Sequence, residues 1–324
     1  MTQLASVDAA AISSSQTLPL DLLRAPLTGS ALEQVGDALV STDDRGARFR
    51  IAPDGIPLFA EHLCSPDARI QEAHYERIAS AYVTNLGYPH TQEYAAYLDE
   101  MLERVVDRTA IGTAAEICCG RGEAFHLFGR DIVRGVGVDI SVSMLAAARA
   151  ANPGDYLAFV QGDATMLPLA SGTFDAAFML GGIHHVNDRR SLFSEIARIL
   201  RPGGKFYFRE PVSDFALWRW IRAVIYRISP TLDHLTERPL LRAETVPVVE
   251  SAGLAMRDWS THGFLGFCVF MNSDVLVFNR LFRFLPGIRR ITRWSTALDA
   301  WILQRPPMKN SGLIVVGVAE KRVS

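Results

Sequence analysis

Hydrophobic and polar positions change rhythm several times along this 324-residue chain. Residues 1–35 are rich in Ala, Ser, Thr and Leu without sustained periodicity, a pattern that predicts a mobile tail. Over 36–69 the segments ALVSTDD and ARFRIAPDGIPLF read as short strands around an Asp-Asp-Arg-Gly turn, followed by a Pro-Asp-Gly turn, a small β-rich extension. Farther on, Tyr94, Tyr97, Leu98, Met101, Leu102 and Val105 recur at helical spacing. The chain then alternates. Apolar runs at 113–118, 134–140, 156–161, 174–180 and 204–209 are separated by helical patterns at 122–130, 142–151 and 189–200. Such alternation predicts a doubly wound, mostly parallel α/β sheet. Arg201-Pro202-Gly203-Gly204 stops a helix and turns into a strand, and Gly312 to Ala319 reads as a final strand. The core is thus expected over 70–211, 241–261 and 311–324, interrupted by aromatic- and arginine-rich helical insertions at 212–240 and 262–310.

Composition narrows the function classes. Hydrophobic residues at 49% and charged residues at 21% describe a globular chain. With 33 basic and 35 acidic residues the formal charge is −2, so no global nucleic-acid signature exists and no nucleic-acid partner is expected. Cys64, Cys118, Cys119 and Cys268 form no C-x-x-C pair, which fits a reducing compartment and argues against a metal site. No basic residue precedes Arg24, so a signal peptide is not expected. The apolar stretch 263–282 is broken by Asn272, Ser273, Asp274, Asn279 and Arg280, which argues against a spanning helix. The expectation is a cytoplasmic protein.

Four ordered features carry the chemistry. Ala115-Glu116-Ile117-Cys118-Cys119-Gly120-Arg121-Gly122 is a strand ending in a glycine turn that opens a helix, where free N–H groups and close backbone approach favour a ligand. Asp139 ends the next strand, 23 residues after Glu116, the spacing of one βαβ unit whose acid reaches a ribose diol. Gln161-Gly162-Asp163-Ala164 follows 24 residues later, and Phe174 to Phe178 leads to Gly181-Gly182-Ile183-His184-His185. A dinucleotide fingerprint would need a third glycine where Phe125 stands. A positively charged ligand without phosphates suits Glu116 better.

Together these residues resemble a class I S-adenosylmethionine-dependent methyltransferase, similar to the ubiquinone/menaquinone C-methyltransferase type and its small-molecule relatives. The resemblance covers about residues 70–210 and the final strand. It implies a Rossmann-like seven-stranded sheet with its last strand antiparallel, an N-terminal extension and helical cap insertions. It also implies S-adenosyl-L-methionine as cofactor, with Glu116 near the methionine amino group and the backbone from Cys118 through Gly120 to Gly122 around the methionyl part. Asp139 would hold the ribose, Ile140 and Met144 would flank the adenine, and Asp163 beside Ala164 would meet its amino group. The segment from His74 and Tyr75 to Tyr82 resembles the family's aromatic lid helix. Cys118 stands where the family usually has glycine. Each position has a structural alternative: Asp139 as a helix cap, Asp163 as a loop residue, the cysteines and tyrosines as core packing.

His184 and His185, at the expected mouth, and Glu210, after the fifth core strand, are the candidate catalytic residues. A neutral imidazole suits proton removal from a phenol, an enol or an activated carbon. One histidine of such a pair can instead only pack, and Glu210 can instead pair with an arginine. In the insertions, Trp218, Ile221 and Ile225 share one helical face, with Arg219 and Arg222 on another. Phe278, Leu281, Phe282 and Leu285 share a second face, followed by Arg289, Arg290 and Arg293. Such faces fit a packed cap, a lipophilic acceptor pocket or peripheral membrane contact. The reading is methylation at carbon or oxygen of a quinone, polyketide, terpenoid or lipid precursor. A binder of the same cofactor that transfers no methyl group, and an enzyme acting on tRNA or protein, are the alternatives.

Overall fold

The computed structural model describes residues 17–61, 63–221, 238–271 and 277–323. Two sheets organise them. A three-stranded antiparallel sheet is formed by β1 (Leu32–Val35), β2 (Ala38–Ser41) and β3 (Arg48–Arg50). The core strands are β4 (Thr113–Ile117), β5 (Arg134–Asp139), β6 (Leu157–Gln161), β7 (Phe174–Leu180), β8 (Leu200–Pro211), β9 (Leu254–His262) and β10 (Ile314–Lys321). They lie in the order β6-β5-β4-β7-β8-β10-β9. The pairs from β6 to β8 are parallel, while β10 runs antiparallel to both of its neighbours.

The parallel strands read as continuous apolar runs because helices cover both faces. These are α1 (Pro66–Leu86), α2 (Pro89–Glu103), α3 (Glu123–Phe128), α4 (Val142–Ala151), α5 (Arg189–Ile199) and α7 (Arg242–Ser251), with residues 216–221 forming α6. Strand order reverses between β4 and β7, so the loops leaving their carboxyl ends diverge and open a crevice, the usual ligand position in such sheets. The sequence places both motif loops, 118–122 and 181–185, at this point.

One expectation changes. Residues 17–35 are not a loose tail: Leu22 and Leu23 are fully buried with Leu167 and Leu169, and Leu23 bridges Leu169. The leucines at 18, 20, 22 and 23 are interrupted by Pro19, Asp21 and Arg24 in a stretch too short to announce a packed element. The expectation for residues 1–16 lies outside the described residues. The extension also covers the free edge of β6, where Phe59 N–H donates to Gln161 O at 3.0 Å, removing an exposed strand edge.

The second insertion folds into α8 (Leu265–Phe270), a 3₁₀ segment over Val277–Phe284, and α9 (Ile288–Leu303), packed on α2. Buried Asp299 holds it. Its carboxylate accepts from Tyr94 Oη at 2.7 Å and from the amides of Phe264, Gly266 and Phe267 at 2.9, 3.1 and 3.3 Å. Removing the acceptor leaves buried donors unpaired. Asp299→Ala is therefore expected to cost about 3 kcal/mol or more. Thermal unfolding followed by circular dichroism should show a Tm lower by roughly 4–6 °C.

Candidate active site

The crevice is a cavity with about 1110 Å³ of empty space, part of it open to solvent, enough for a ligand larger than a metabolite fragment. Cys118, Gly120, Asp139, Ile140, Met144 and Asp163 line it, as do Ala164, Tyr75 and His185. Glu116, Gly122, His184 and Glu210 are not on its wall, and the side chain of Tyr82 lies outside the described residues.

The acids are chiefly occupied by backbone. Glu116 Oε1 accepts from Ala124 N–H at 2.9 Å and so caps the first turn of α3, while its Oε2 is buried with no hydrogen-bond partner among the described residues. Burial pushes its carboxyl up to about 8. Asp139 accepts from Gly120 N–H at 2.8 Å and Ser141 N–H at 2.9 Å, and burial raises its pKa too. Ser141, not Asp139, is the side-chain cap of α4. Asp163 accepts from Ser65 N–H at 2.7 Å and from Thr165 N–H at 2.8 Å. Glu210, fully buried, accepts from Gly182 N–H at 2.6 Å, Ile183 N–H at 2.8 Å and His184 Nδ1 at 2.8 Å. Its hydrogen-bond partners are thus loop amides and a histidine, where the sequence offered a catalytic role or, as the structural alternative, an arginine pair.

The two histidines part company. His184 is fastened to Glu210 behind the cavity wall. His185 faces the cavity, its Nε2 3.0 Å from Tyr75 Oη, and burial followed by the neighbouring His184 lowers its pKa well below the usual value. It is neutral at pH 7. The ring centroids of the pair are 3.9 Å apart.

The glycine turn has one unusual member. Cys118 adopts φ 50°, left-handed backbone that costs a side-chain-bearing residue about 1–2 kcal/mol. Its Cβ also forbids a side chain opposite: a Cβ on Gly182 would lie 2.6 Å from it. Burial raises the Cys118 thiol pKa well above the ordinary value, so it stays protonated. Helix α1 closes the cavity with Ala68, Gln71 and Tyr75, one turn apart on one face. Gln71 Oε1 is buried there without a hydrogen-bond partner among the described residues. Ser65, just before α1, and Gln71 within it escaped the sequence reading because a lone Ser at a helix start reads as a cap and a lone Gln on a helix looks solvent-facing. Glu76 anchors α1 by accepting from Ser141 Oγ at 2.8 Å and Ser143 N–H at 3.0 Å.

Two stability predictions follow from these burials. Folded Glu116 keeps its proton to about pH 8, whereas the unfolded residue loses it above about 4.5. The native carboxyl therefore costs stability increasingly as pH rises through that window. Relative to wild type, Glu116→Gln should gain on the order of a few kcal/mol at pH 8.5 and little at pH 4.5, read from denaturant midpoints. Cys118→Gly should be neutral or stabilising within about 1 kcal/mol, whereas Cys118→Val should lose about 2 kcal/mol.

Residues 115–208 match a family model described as a methyltransferase domain. A demethylmenaquinone methyltransferase from Beutenbergia cavernae is 37% identical over 105 residues, 32% of this chain and 41% of that protein. A 27-O-demethylrifamycin SV methyltransferase from Amycolatopsis mediterranei is 31% identical over 145 residues, 41% of this chain and 52% of that one. The chain thus spans about half the length, or less, of these curated relatives. The crystal structure of a [4+2]-cyclase superposes with a TM-score of 0.58 at 18% identity, covering 81% of this chain and 99% of that one, a likeness of fold alone. Over the matched segment, residues 115–208, the chain thus carries a methyltransferase domain of the S-adenosylmethionine-dependent type.

Proposed function

We propose that this chain transfers a methyl group from S-adenosylmethionine to oxygen or carbon of an apolar small molecule, a quinone, polyketide, terpenoid or lipid precursor. The observation that carries this reading is the cavity at the switch point, where the Cys118–Gly120 turn, Asp139 and Asp163 meet the neutral His185. The residues present suit the cofactor: acids for a cationic ligand with a ribose diol, apolar Ile140 and Met144 for an adenine, and the orphaned Gln71 oxygen for a donor. When bound, the cofactor supplies a methyl group already activated on a sulfonium.

The protein's part is alignment, water exclusion and removal of the acceptor's proton. With an acceptor aligned on that methyl group, the Tyr75 hydroxyl would take the acceptor's proton and give its own to His185 Nε2, 3.0 Å away. Glu210 fixes the loop that carries His185 through the Gly182 and Ile183 amides and orients His184. The relatives named for a demethylmenaquinone and for a demethylrifamycin support an apolar acceptor.

Titration of the protein with S-adenosylmethionine and S-adenosylhomocysteine, followed by labelled methyl uptake into quinols and phenols, tests the reading. His185→Gln should lower kcat by about 10²–10⁴ with cofactor affinity unchanged, and Tyr75→Phe by about tenfold. Because His185 is neutral from mildly acidic pH upward, kcat/KM should stay level between roughly pH 6.5 and 8.5 and fall only in acid. No binding by folded protein contradicts the reading. Binding without methyl uptake favours a cofactor binder that performs no transfer.

A further inference from the structure

Helix α9 buries polar side chains along its middle and exposes apolar ones. Its buried face carries Thr292, Thr296 and Asp299 between Ile288 and Leu303, whereas Ile291, Trp294, Leu298 and Trp301, spaced by three, four and three residues, are 50%, 70%, 53% and 55% exposed. The helix tolerates polar groups inside because they are satisfied there: Asp299 by Tyr94 and three amides, Thr292 Oγ1 by Ile288 O at 3.0 Å, Thr296 Oγ1 by Arg293 O at 2.8 Å. Nothing in the described packing requires the outward apolar row. The preceding 3₁₀ segment adds exposed Phe278, Leu281 and Phe284, and α6 adds exposed Trp220.

The charge around this row selects its occupant. Residues 277–309 hold seven basic residues and one acid, the buried Asp299, in a chain of net charge −2. Arg289 and Arg293 lean on Glu93, Arg283 lies over the Tyr88 and Phe284 rings, and Arg305 lies over Trp301. Exposed ion pairs of this kind leave the local field positive. A second copy meeting this face symmetrically would bring like charges together. Tryptophans among arginines on an exposed helix are instead the composition that seats in a lipid headgroup layer. No helix among the described residues is long and apolar enough to cross a membrane, so the contact is a surface one.

We propose that the outward face of α9, with the adjoining 3₁₀ segment, docks this protein on an anionic lipid bilayer. The proposal is independent of methyl transfer. The cap joins the active site through the first insertion, since Trp218 packs with Phe264 and Leu303, and Arg238 N–H donates to His184 O at 2.8 Å.

The test is co-sedimentation of the full chain with phosphatidylcholine vesicles, alone and mixed with phosphatidylglycerol, together with quenching of tryptophan fluorescence by brominated lipid. Binding should be at least about tenfold stronger to the mixed vesicles, weaken with added salt, and fall about tenfold in Trp294→Ser/Trp301→Ser. Both side chains are exposed, so the variant should keep its Tm and its affinity for S-adenosylhomocysteine. Wild-type protein that ignores both vesicle types, or a variant that binds as well as wild type, overturns the proposal. So does a wild-type dimer in sedimentation equilibrium that the variant dissociates, which would make the face an interface between copies.

Discussion

A carboxylate taken out of water has to be solvated by something else, and in this fold the amides of the site loops do it. Glu116, Asp139, Asp163 and Glu210 lie at or near the carboxyl ends of β4, β5, β6 and β8, and all four are buried. Each accepts from the backbone of the loop it faces: Ala124, Gly120 and Ser141, Ser65 and Thr165, Gly182 and Ile183 respectively. The crevice owes its shape to these ties. Acids that a motif reading assigns to ligand contact are first of all organisers of backbone, and only Asp139 and Asp163 also reach the cavity wall.

The same constraint separates the two histidines. Glu210 takes His184 out of the reacting space by holding its Nδ1, and the shared loop turns His185 toward the cavity and the Tyr75 hydroxyl. Burial, with neighbouring His184 adding to it, keeps His185 neutral. A loop fixed to one carboxylate by the Gly182, Ile183 and His184 amides and the His184 ring is stiff, which suits a reaction whose barrier depends on alignment more than on acid strength. The solved cyclase of similar fold shows that the scaffold alone does not dictate methyl transfer, so the reaction has to be argued from the cavity.

The parallel strands were legible because continuous apolar runs between glycine turns have few other readings. The runs at 134–140 and 174–180 correspond to Arg134–Asp139 and Phe174–Leu180. Edge strand β9 was not, since Leu254, Trp259 and the polar residues between them follow no alternation, and its pairing with β10 contains an irregularity at Val318/Ala319. In α9 the row Ile291, Trp294, Leu298 and Trp301 has helical spacing, but a hydrophobic-face rule would turn it inward, whereas Thr292, Thr296 and Asp299 are the buried positions. The expected face of Trp218, Ile221 and Ile225 is followed only to residue 221, and the part from 222 to 237 lies outside the described residues. There Trp218 is buried while Trp220 is exposed, a distinction made by packing against Phe264 and not by composition. For the site, spacing located Asp139 and Asp163 on the wall, but it could not say that Glu116 caps α3 or that Gln71 looks inward.

Whether the cavity framed by these buried acids receives S-adenosylmethionine is decided by a crystal structure of the protein grown with S-adenosylhomocysteine. The ligand is expected in the crevice between the Gly120 turn, Asp139, Asp163 and the α1 face bearing Gln71 and Tyr75, with His185 still lining the open end. A ligand seated elsewhere, or a crevice left empty by protein that binds the compound in solution, would contradict it.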